Sequence, residues 1–224
     1  MVSLSIIVPT LEAERTLART LDSLAAGLAI EVIVADGGSR DRTGALAQAR
    51  GARVIPCERG RGSQLAAGAD GATGEWLLFL HADTELALGW SAAAGRFMAD
   101  PKNLHRAAVF RFRLDDAAPA ARRLEALVAW RCRVLALPYG DQGLLVSRAF
   151  YDALGGYRKL PLMEDVDLVR RIGRSRLTLL EATATSSAAR YRRGGYLRRP
   201  LRNLLCLALY FAGLSPRWIA RLYG

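Results

Sequence analysis

The chain has 224 residues, 51% of them hydrophobic, which is enough for one large domain with a substantial core. Its net charge is +11, but eight of the 32 basic residues follow the last acidic residue, Glu181, so residues 1–181 balance 24 basic against 21 acidic residues. A nucleic-acid binder would spread its positive charge more evenly, so we expect no nucleic-acid partner and a C-terminal segment that faces phosphate or a membrane surface, or is simply solvated.

Strands and helices are predicted to alternate over the first 81 residues. Strands are predicted over residues 4–9, 31–36, 52–57 and 75–81, and helices over 14–26, 41–50 and 63–72 lie between them. This order predicts an α/β fold with a mostly parallel central sheet and helices on both faces. Further along, 107–114 alternates as an edge strand would, 119–136 looks helical, 142–147 reads as a strand, and a helix begins near MEDVDLVRRI. No linker or repeat interrupts residues 1–224, which we expect to form a single domain.

The cysteines and the apolar stretches indicate where in the cell the protein is located. Cys57, Cys132 and Cys206 are far apart, which predicts neither a disulfide framework nor a zinc site and fits a reducing cytoplasm. The N-terminal MVSLSIIVPT has no basic region before its apolar residues, so we do not expect a secretory signal. The longest apolar stretch, LLCLALYFAGL at 204–214, is far shorter than the roughly 20 residues that cross a bilayer. We expect a cytoplasmic protein, with peripheral contact to the inner face of the membrane as an option.

Two predicted strands end in aspartate. EVIVAD ends in Asp36, and GEWLLFL is followed by His81, Ala82 and Asp83. In open α/β sheets the ligand lies beyond the carboxyl ends of the strands, so both aspartates are candidate site residues in one crevice. Asp83 is the candidate ligand of a divalent metal, Mg²⁺ or Mn²⁺, beside a phosphate. Asp36 could also be a structural cap. His81 could supply a nitrogen ligand, which would favour Mn²⁺, or bond a phosphate or sugar.

Two further segments carry candidate residues. The glycine-rich RGRGSQLAAGADG offers Arg61 and Gln64 at a predicted helix start, which suits an anion but matches neither a P-loop nor a dinucleotide fingerprint. The acids of LPLMEDVDL follow a loop that holds YGDQG. A carboxylate brought beside other acids has a raised pKa and can act as a general base, which makes Asp165 or Glu164 the candidate base.

Together these segments resemble family 2 glycosyltransferases with the GT-A fold. The ordered set is IIVPTLEAE, VIVADGGSRDRT, GRGSQLAAGADGATGEWLLFLHAD, GDQG and MED, from residue 4 to about 174. It is most similar to a small bacterial single-domain subgroup that carries LHADT and is associated with radical-SAM and selenoprotein-domain neighbours. The resemblance implies inverting transfer of a sugar from a nucleoside diphosphate donor, often UDP-linked, to an acceptor hydroxyl.

The resemblance also assigns roles to individual residues. Asp83 would hold the metal, Asp165 would deprotonate the acceptor with Glu164 beside it, and Asp141 and Gln142 would lie near the acceptor. The nucleotide would contact the following residues: Pro9, Thr10, Glu12, Asp36, Arg61, Gln64 and His81. His81 stands where other relatives have the first aspartate of Asp-x-Asp, Ala66 stands where Asn is frequent, and no QxxRW motif is present. The competing interpretations are a nucleotidyltransferase on a similar sheet and a non-catalytic nucleotide-sugar-binding protein.

The C-terminal segment, residues 190–224, is predicted to be helical, basic and amphipathic. Arginines alternate there with apolar and aromatic blocks, as in elements that lie among anionic lipid headgroups. Alternatively, Leu204, Leu205, Leu209 and Phe211 pack a helix onto the sheet. In a third interpretation Arg190, Arg192 and Arg193 close over the diphosphate of the donor. The donor sugar, the acceptor and the oligomeric state cannot be read from the sequence.

Overall fold

The computed structural model describes residues 3–25 and 29–223, which fold around one eight-stranded sheet. The strands are β1 (Leu4–Thr10), β2 (Ala29–Asp36), β3 (Arg53–Pro56), β4 (Trp76–Phe79), β5 (Thr84–Leu86), β6 (Ala107–Leu114), β7 (Leu144–Ser147) and β8 (Leu177–Ser186). Their order across the sheet is β3-β2-β1-β4-β7-β6-β8-β5. Four of the seven neighbouring pairs in this sheet are parallel, so the predicted α/β fold is confirmed with a mixed sheet.

In the described part of the chain, ten α-helices connect and cover the strands. They are α1 (Glu14–Leu24), α2 (Thr43–Ala49), α3 (Arg61–Gly71), α4 (Trp90–Ala99), α5 (Pro119–Leu135), α6 (Arg148–Ala153), α7 (Glu164–Ile172), α8 (Ala189–Gly194), α9 (Arg198–Phe211) and α10 (Pro216–Tyr223). One apolar cluster joins the sheet to α1 and α4, and a second joins its other face to α3, α6 and α7. Helices therefore cover both faces, as the alternating sequence pattern predicts.

The strand predicted over 107–114 is not an edge strand. Its first residues lie between β7 and β8, with Ala107 paired to both Val146 and Leu177. From Arg111 onward β7 has ended and pairing continues with β8 alone, which is where the burial begins to alternate. The alternating second half of this strand therefore resembles an edge strand in sequence, whereas the strands at the two edges of the sheet are β3 and β5.

The strand directions collect many chain segments at one edge of the sheet. The carboxyl ends of β1, β2, β4, β6 and β8 share that edge because these strands run the same way. β7 and β5 run oppositely, so the segments that precede Leu144 and Thr84 arrive at the same edge. The GDQG loop and Asp83 are such segments. This topology explains how residues distant in sequence can form one site.

The C-terminal segment consists of α8, α9 and α10. Cys206, Leu207 and Ile219 are buried in an apolar cluster that includes Met163 and Val166 of the α7 region. Leu204 and Leu205, which one interpretation packs onto the sheet, are 60% and 58% exposed. Packing is therefore carried by a different face of α9, and a row of leucines remains on the surface. Among the residues described, none of the helices is both long and apolar enough to cross a bilayer.

Candidate active site

His81 and Asp83 lie just beyond β4, at the edge where the strand ends meet. Phe79 ends β4, and the next N–H, of Leu80, still donates to the carbonyl of Ile7 in β1 at 3.0 Å. The chain then turns to reach β5 at the far edge of the sheet, where the Asp83 carbonyl accepts from the N–H of Ser187 at 3.0 Å. Asp83 is therefore held between the end of β4 and the end of β8.

The GDQG loop approaches His81 closely. A Cβ built on Gly140 would lie 2.5 Å from Nε2 of His81, so a side chain at position 140 would displace the histidine ring. Burial, reinforced by the positive charges of Arg61 and Arg190, holds the pKa of His81 well below its usual value. The ring is therefore neutral near pH 7, the form that can offer a nitrogen lone pair.

Two adjacent carboxylates begin α7. Met163, immediately before the helix, has a left-handed backbone with φ of 66°, a strained conformation for a side-chain-bearing residue. It turns Glu164 inward, where the side chain is 2% exposed, and leaves Asp165 less buried at the cavity. Asp165 accepts the N–H of Gly140 at 2.9 Å through Oδ2 and that of Val166 at 2.7 Å through Oδ1. The candidate base is thus fixed to the GDQG loop.

Glu164 and Asp141 both have raised pKa values. Burial raises the pKa of Glu164 to about 7, the charge of Asp165 adds to the rise, and Arg61, 3.4 Å from Glu164, opposes it. Burial also raises the pKa of Asp141 to about 6, helped by Asp165 and Asp83 and opposed by Arg131. Clusters of carboxylates with such perturbed values are typical of catalytic sites.

Arginines complete the cavity on both sides. Arg190 of α8 approaches Asp83 to 4.0 Å, and Arg61 at the start of α3 pairs with Glu164. The cavity is about 130 Å³ and brings together seven of the predicted site residues: Arg61, His81, Asp83, Asp141, Glu164, Asp165 and Arg190. Such a set can bind an anionic group, hold a cation and remove a proton within one enclosure.

Three predicted nucleotide contacts, Pro9, Thr10 and Asp36, lie outside this cavity. Pro9 and Thr10 are buried in β1, and the Thr10 hydroxyl donates to Asp36 at 3.0 Å. Asp36 also accepts from the N–H groups of Gly38 and Ser39 and from the Ser39 hydroxyl. These four donors hold Asp36 as a clasp for its own turn.

Gln64 and Glu12 are also engaged by the protein. Gln64 is 5% exposed and its amide donates to the carbonyls of Thr10 and Ala35, which ties the ends of β1 and β2 together. Glu12 lies exposed in the loop after β1, has a positive φ of 52°, and accepts the N–H of Arg40 at 2.8 Å.

The structure places Gln142, Arg192 and Arg193 against other parts of the protein. Gln142 is 2% exposed, donates to the carbonyl of Phe110 and accepts from the Cys132 thiol, so it supports the GDQG loop from below. Arg192 pairs with Asp116 at 3.4 Å beyond the end of β6. Arg193 is exposed on α8. These side chains are absent from the lining of the cavity, and Arg190 is the member of the arginine group that reaches it.

The sequence interpretation missed Arg131 and Tyr139. The Arg131 guanidinium stacks on the Tyr139 ring, 3.5 Å from its centre, and donates to the carbonyl of Leu137 at 2.8 Å. Tyr139 lines the cavity, and its position next to GDQG was an available signal. No signal marked Arg131, because an arginine in a helix is usually solvated.

A divalent cation fits part of this donor set. Within residues 3–25 and 29–223, no three His, Cys, Asp or Glu side chains converge as a self-sufficient metal site. Asp83 supplies a hard oxygen, and neutral His81 follows the same strand end. Mg²⁺ and related ions are often held by one or two carboxylates with substrate phosphates completing the shell. The residues present match that arrangement.

The family of the chain is established by a sequence profile. The profile described as glycosyl transferase family 2 matches residues 5–139, which is more than half of the 224 residues. The chain therefore belongs to glycosyl transferase family 2 and is a glycosyltransferase. No curated protein gives a significant match.

Solved structures with the same fold include two glycosyltransferases. Glucosyl-3-phosphoglycerate synthase from Mycobacterium tuberculosis, in complex with Mn²⁺, UDP and phosphoglyceric acid, is 20% identical, with a TM-score of 0.63 over 95% of this chain and 79% of that one. Residues 1–349 of S. aureus TarS are 17% identical, with a TM-score of 0.67 over 97% of this chain and 68% of that one. Both support the GT-A fold.

Proposed function

We propose that this glycosyltransferase moves a sugar from a nucleoside diphosphate, with UDP the first candidate, to an acceptor hydroxyl with inversion at the sugar carbon. The observation that carries the proposal is the enclosure that groups Asp83 and Arg190 with the carboxylates of Asp141 and Asp165. Supporting it, the structurally similar mycobacterial synthase binds UDP together with Mn²⁺. The LHADT subgroup remains part of the proposal on the strength of residues 80–84.

The donor diphosphate is placed beside Asp83 and Arg190. Asp83, with His81 as an optional nitrogen ligand, would hold Mn²⁺ or Mg²⁺, and that cation supplies positive charge to the departing diphosphate. The Arg190 guanidinium binds phosphate oxygens and remains charged at any physiological pH. Glu12, in the exposed loop after β1, is the remaining candidate for a nucleotide contact in that loop.

The acceptor hydroxyl is placed beside Asp165. As the acceptor oxygen bonds to the sugar carbon, the bond from that carbon to the diphosphate oxygen breaks and the hydroxyl proton passes to Asp165. Attack from the side opposite the leaving group inverts the carbon. Both Asp165 oxygens already accept one N–H, which orients the carboxylate and leaves a lone pair for the proton. Glu164 lies directly beside it at the start of α7.

Titration calorimetry with UDP tests the donor side. We expect UDP to bind in the presence of Mn²⁺ and to bind much more weakly after chelation of the metal, because the diphosphate charge is then less compensated. The matched variant is Arg190→Lys, which keeps the charge but loses the bidentate geometry. UDP binding that is undetectable with Mn²⁺, or unaltered by chelation, contradicts the proposal.

We also propose that the C-terminal helices contact an anionic membrane surface from the cytoplasmic side. Supporting this, Trp218 and Leu222 of α10 are 62% and 63% exposed among arginines, while the neighbouring Ile219 is buried. Exposed aromatic and aliphatic side chains flanked by arginine suit the headgroup region of anionic lipid. This contact is separate from catalysis, and flotation with vesicles tests it below.

A further inference from the structure

A large apolar groove opens beside the candidate active site. It measures about 790 Å³ and runs between α5 and α9. Its walls include leucines that are more than half exposed: Leu127 on α5 and Leu197, Leu201 and Leu204 at α9. Isolated exposed leucines are ordinary on a protein surface, but a contiguous concave set of them is typical of a ligand-binding surface.

The groove adjoins the candidate catalytic cavity. Four residues line both: Tyr139, Asp141, Tyr191 and Asn203. A molecule lying in the groove therefore ends at Asp141. The negative charges of Asp83 and Asp165 act on this same residue and raise its pKa. The groove lies on the GDQG side of the site, where the acceptor is placed.

Unpaired polar atoms mark the junction. Within the described residues, buried side-chain atoms that have no hydrogen-bond partner in the protein include Nη2 of Arg131, Oδ1 of Asp141 and Oδ1 of Asn203, and all three residues line the groove. Buried polar atoms are normally paired, so each exception calls for an explanation. One donor and two acceptors at one place suit the hydroxyl-bearing head of a ligand.

The charged and apolar residues that line the groove limit the chemistry of the molecule that can occupy it. Arg123, Arg131 and Arg198 line it, and Asp141 is the acid that it shares with the catalytic cavity. An occupant with a long apolar part fits the leucine walls, and one end must be polar to satisfy the junction. A soluble sugar or a polar peptide would leave the leucines uncovered.

We propose that the acceptor is an amphiphile, with its hydroxyl-bearing head at Asp141 and Asn203 and its hydrocarbon tail in the groove between α5 and α9. This inference rests on the proposed glycosyl transfer and names the class of its acceptor. It differs from surface contact with a membrane, because the tail leaves the bilayer and lies inside the protein. Leu201 lines the groove whereas Leu205, on the same helix, does not.

Alkyl maltosides test the proposal with the full chain, since they combine sugar hydroxyls with one tail. Binding of octyl, decyl and dodecyl maltoside, each below its micelle concentration, is measured by calorimetry in the presence of UDP and Mn²⁺. Affinity should rise by up to about fourfold for each added methylene, because each one leaves water for the groove. A brominated alkyl maltoside should quench Trp130, which lines the groove, and Trp130→Phe should remove that part of the quenching.

Two glutamate variants on one helix provide the control. Leu201→Glu should weaken dodecyl maltoside binding at least about tenfold, because a carboxylate would be desolvated by the tail. Leu205→Glu, at a residue of similar exposure (58% against 63%), should leave it within about twofold. Leu127→Glu on α5 repeats the test from the opposite wall, should Leu201→Glu fail to fold.

Several outcomes overturn the inference. If the affinity for alkyl maltosides does not depend on the length of the alkyl chain, the groove does not bind the tail. If Leu201→Glu and Leu205→Glu lose the same amount of dodecyl maltoside affinity, the detergent adsorbs generally to α9. UDP binding in the same samples separates the two proposals. If UDP binds with Mn²⁺ but the tail site is absent, glycosyl transfer stands and the amphiphilic acceptor is wrong; if UDP does not bind, the proposed transfer itself fails.

Discussion

Replacing Glu164 by glutamine should make the protein more stable, and increasingly so as the pH rises. The Glu164 side chain is 2% exposed at the start of α7, beside Asp165. Burial raises its pKa from an ordinary 4.5 to about 7. A carboxylate that resists ionisation in the folded state penalises folding once it is ionised, and this shift corresponds to about 3 kcal/mol.

The direction of the pH effect follows from the proton count. Between pH 4.5 and about 7 the folded protein retains the Glu164 proton that the unfolded chain releases, so the free energy of unfolding falls as the pH rises. Glutamine resembles the protonated acid and carries no such penalty. The variant and the wild type should therefore be similar near pH 4.5 and differ by about 3 kcal/mol near pH 8.

Urea unfolding followed by circular dichroism at several pH values measures this difference. Asp141→Asn is the matched comparison, because burial raises the pKa of Asp141 from 3.8 to about 6. Its stability gain should be nearly complete by about pH 7, whereas the gain of Glu164→Gln should still be growing there. A constant difference between Glu164→Gln and wild type from about pH 5 to about pH 8 would refute the reasoning.

Three further predictions concern metal, base and membrane. Asp83→Ala should abolish turnover, and calorimetry should show that UDP affinity no longer depends on Mn²⁺. If Mn²⁺ strengthens UDP binding in the variant as much as in the wild type, Asp83 is not the metal ligand. Asp165→Asn should keep UDP affinity near normal and lower turnover by about a hundredfold or more, because acceptor deprotonation follows donor binding; near-normal transfer would assign deprotonation to another group. Wild type should float with anionic vesicles in low salt and Trp218→Glu should float less, whereas absence of flotation in both excludes the membrane contact.

Truncation near residue 195 would be a poor test of the membrane contact. Cys206, Leu207 and Ile219 pack against Met163 and Val166, next to the candidate base. Removing α9 and α10 would expose that cluster and perturb the site. Substitutions on the exposed face of the full chain avoid this problem.

The parallel half of the sheet was predictable because its strands are short apolar runs separated by helices of ordinary length. The strand ends indicated His81 and Asp83, and the adjacent acids of MEDVDL indicated a general base. The resemblance chose Asp165 as that base and added Asp141. The sequence did not allow us to predict which of the motif side chains would be buried. Gln64 and Gln142 occur in the expected motifs, yet each uses its amide to satisfy backbone carbonyls inside the protein. A sequence motif identifies a residue but not the direction of its side chain.

The second half of the sheet was less accessible to sequence reasoning. β7 enters antiparallel between β4 and β6, and no local pattern specifies which strand a short apolar run will join. The groove depends on how α5 and α9 are placed relative to each other, which hydrophobic periodicity does not encode. For the same reason Arg131 was overlooked.

The close approach of Gly140 to His81 couples the two sides of the site. His81 follows the strand that leads to the donor side, Gly140 touches its ring, and the Gly140 N–H is bonded to Asp165 on the acceptor side. A donor that shifts His81 would therefore also shift the loop and the carboxylate attached to it. Donor and acceptor should then change each other's affinity by the same factor.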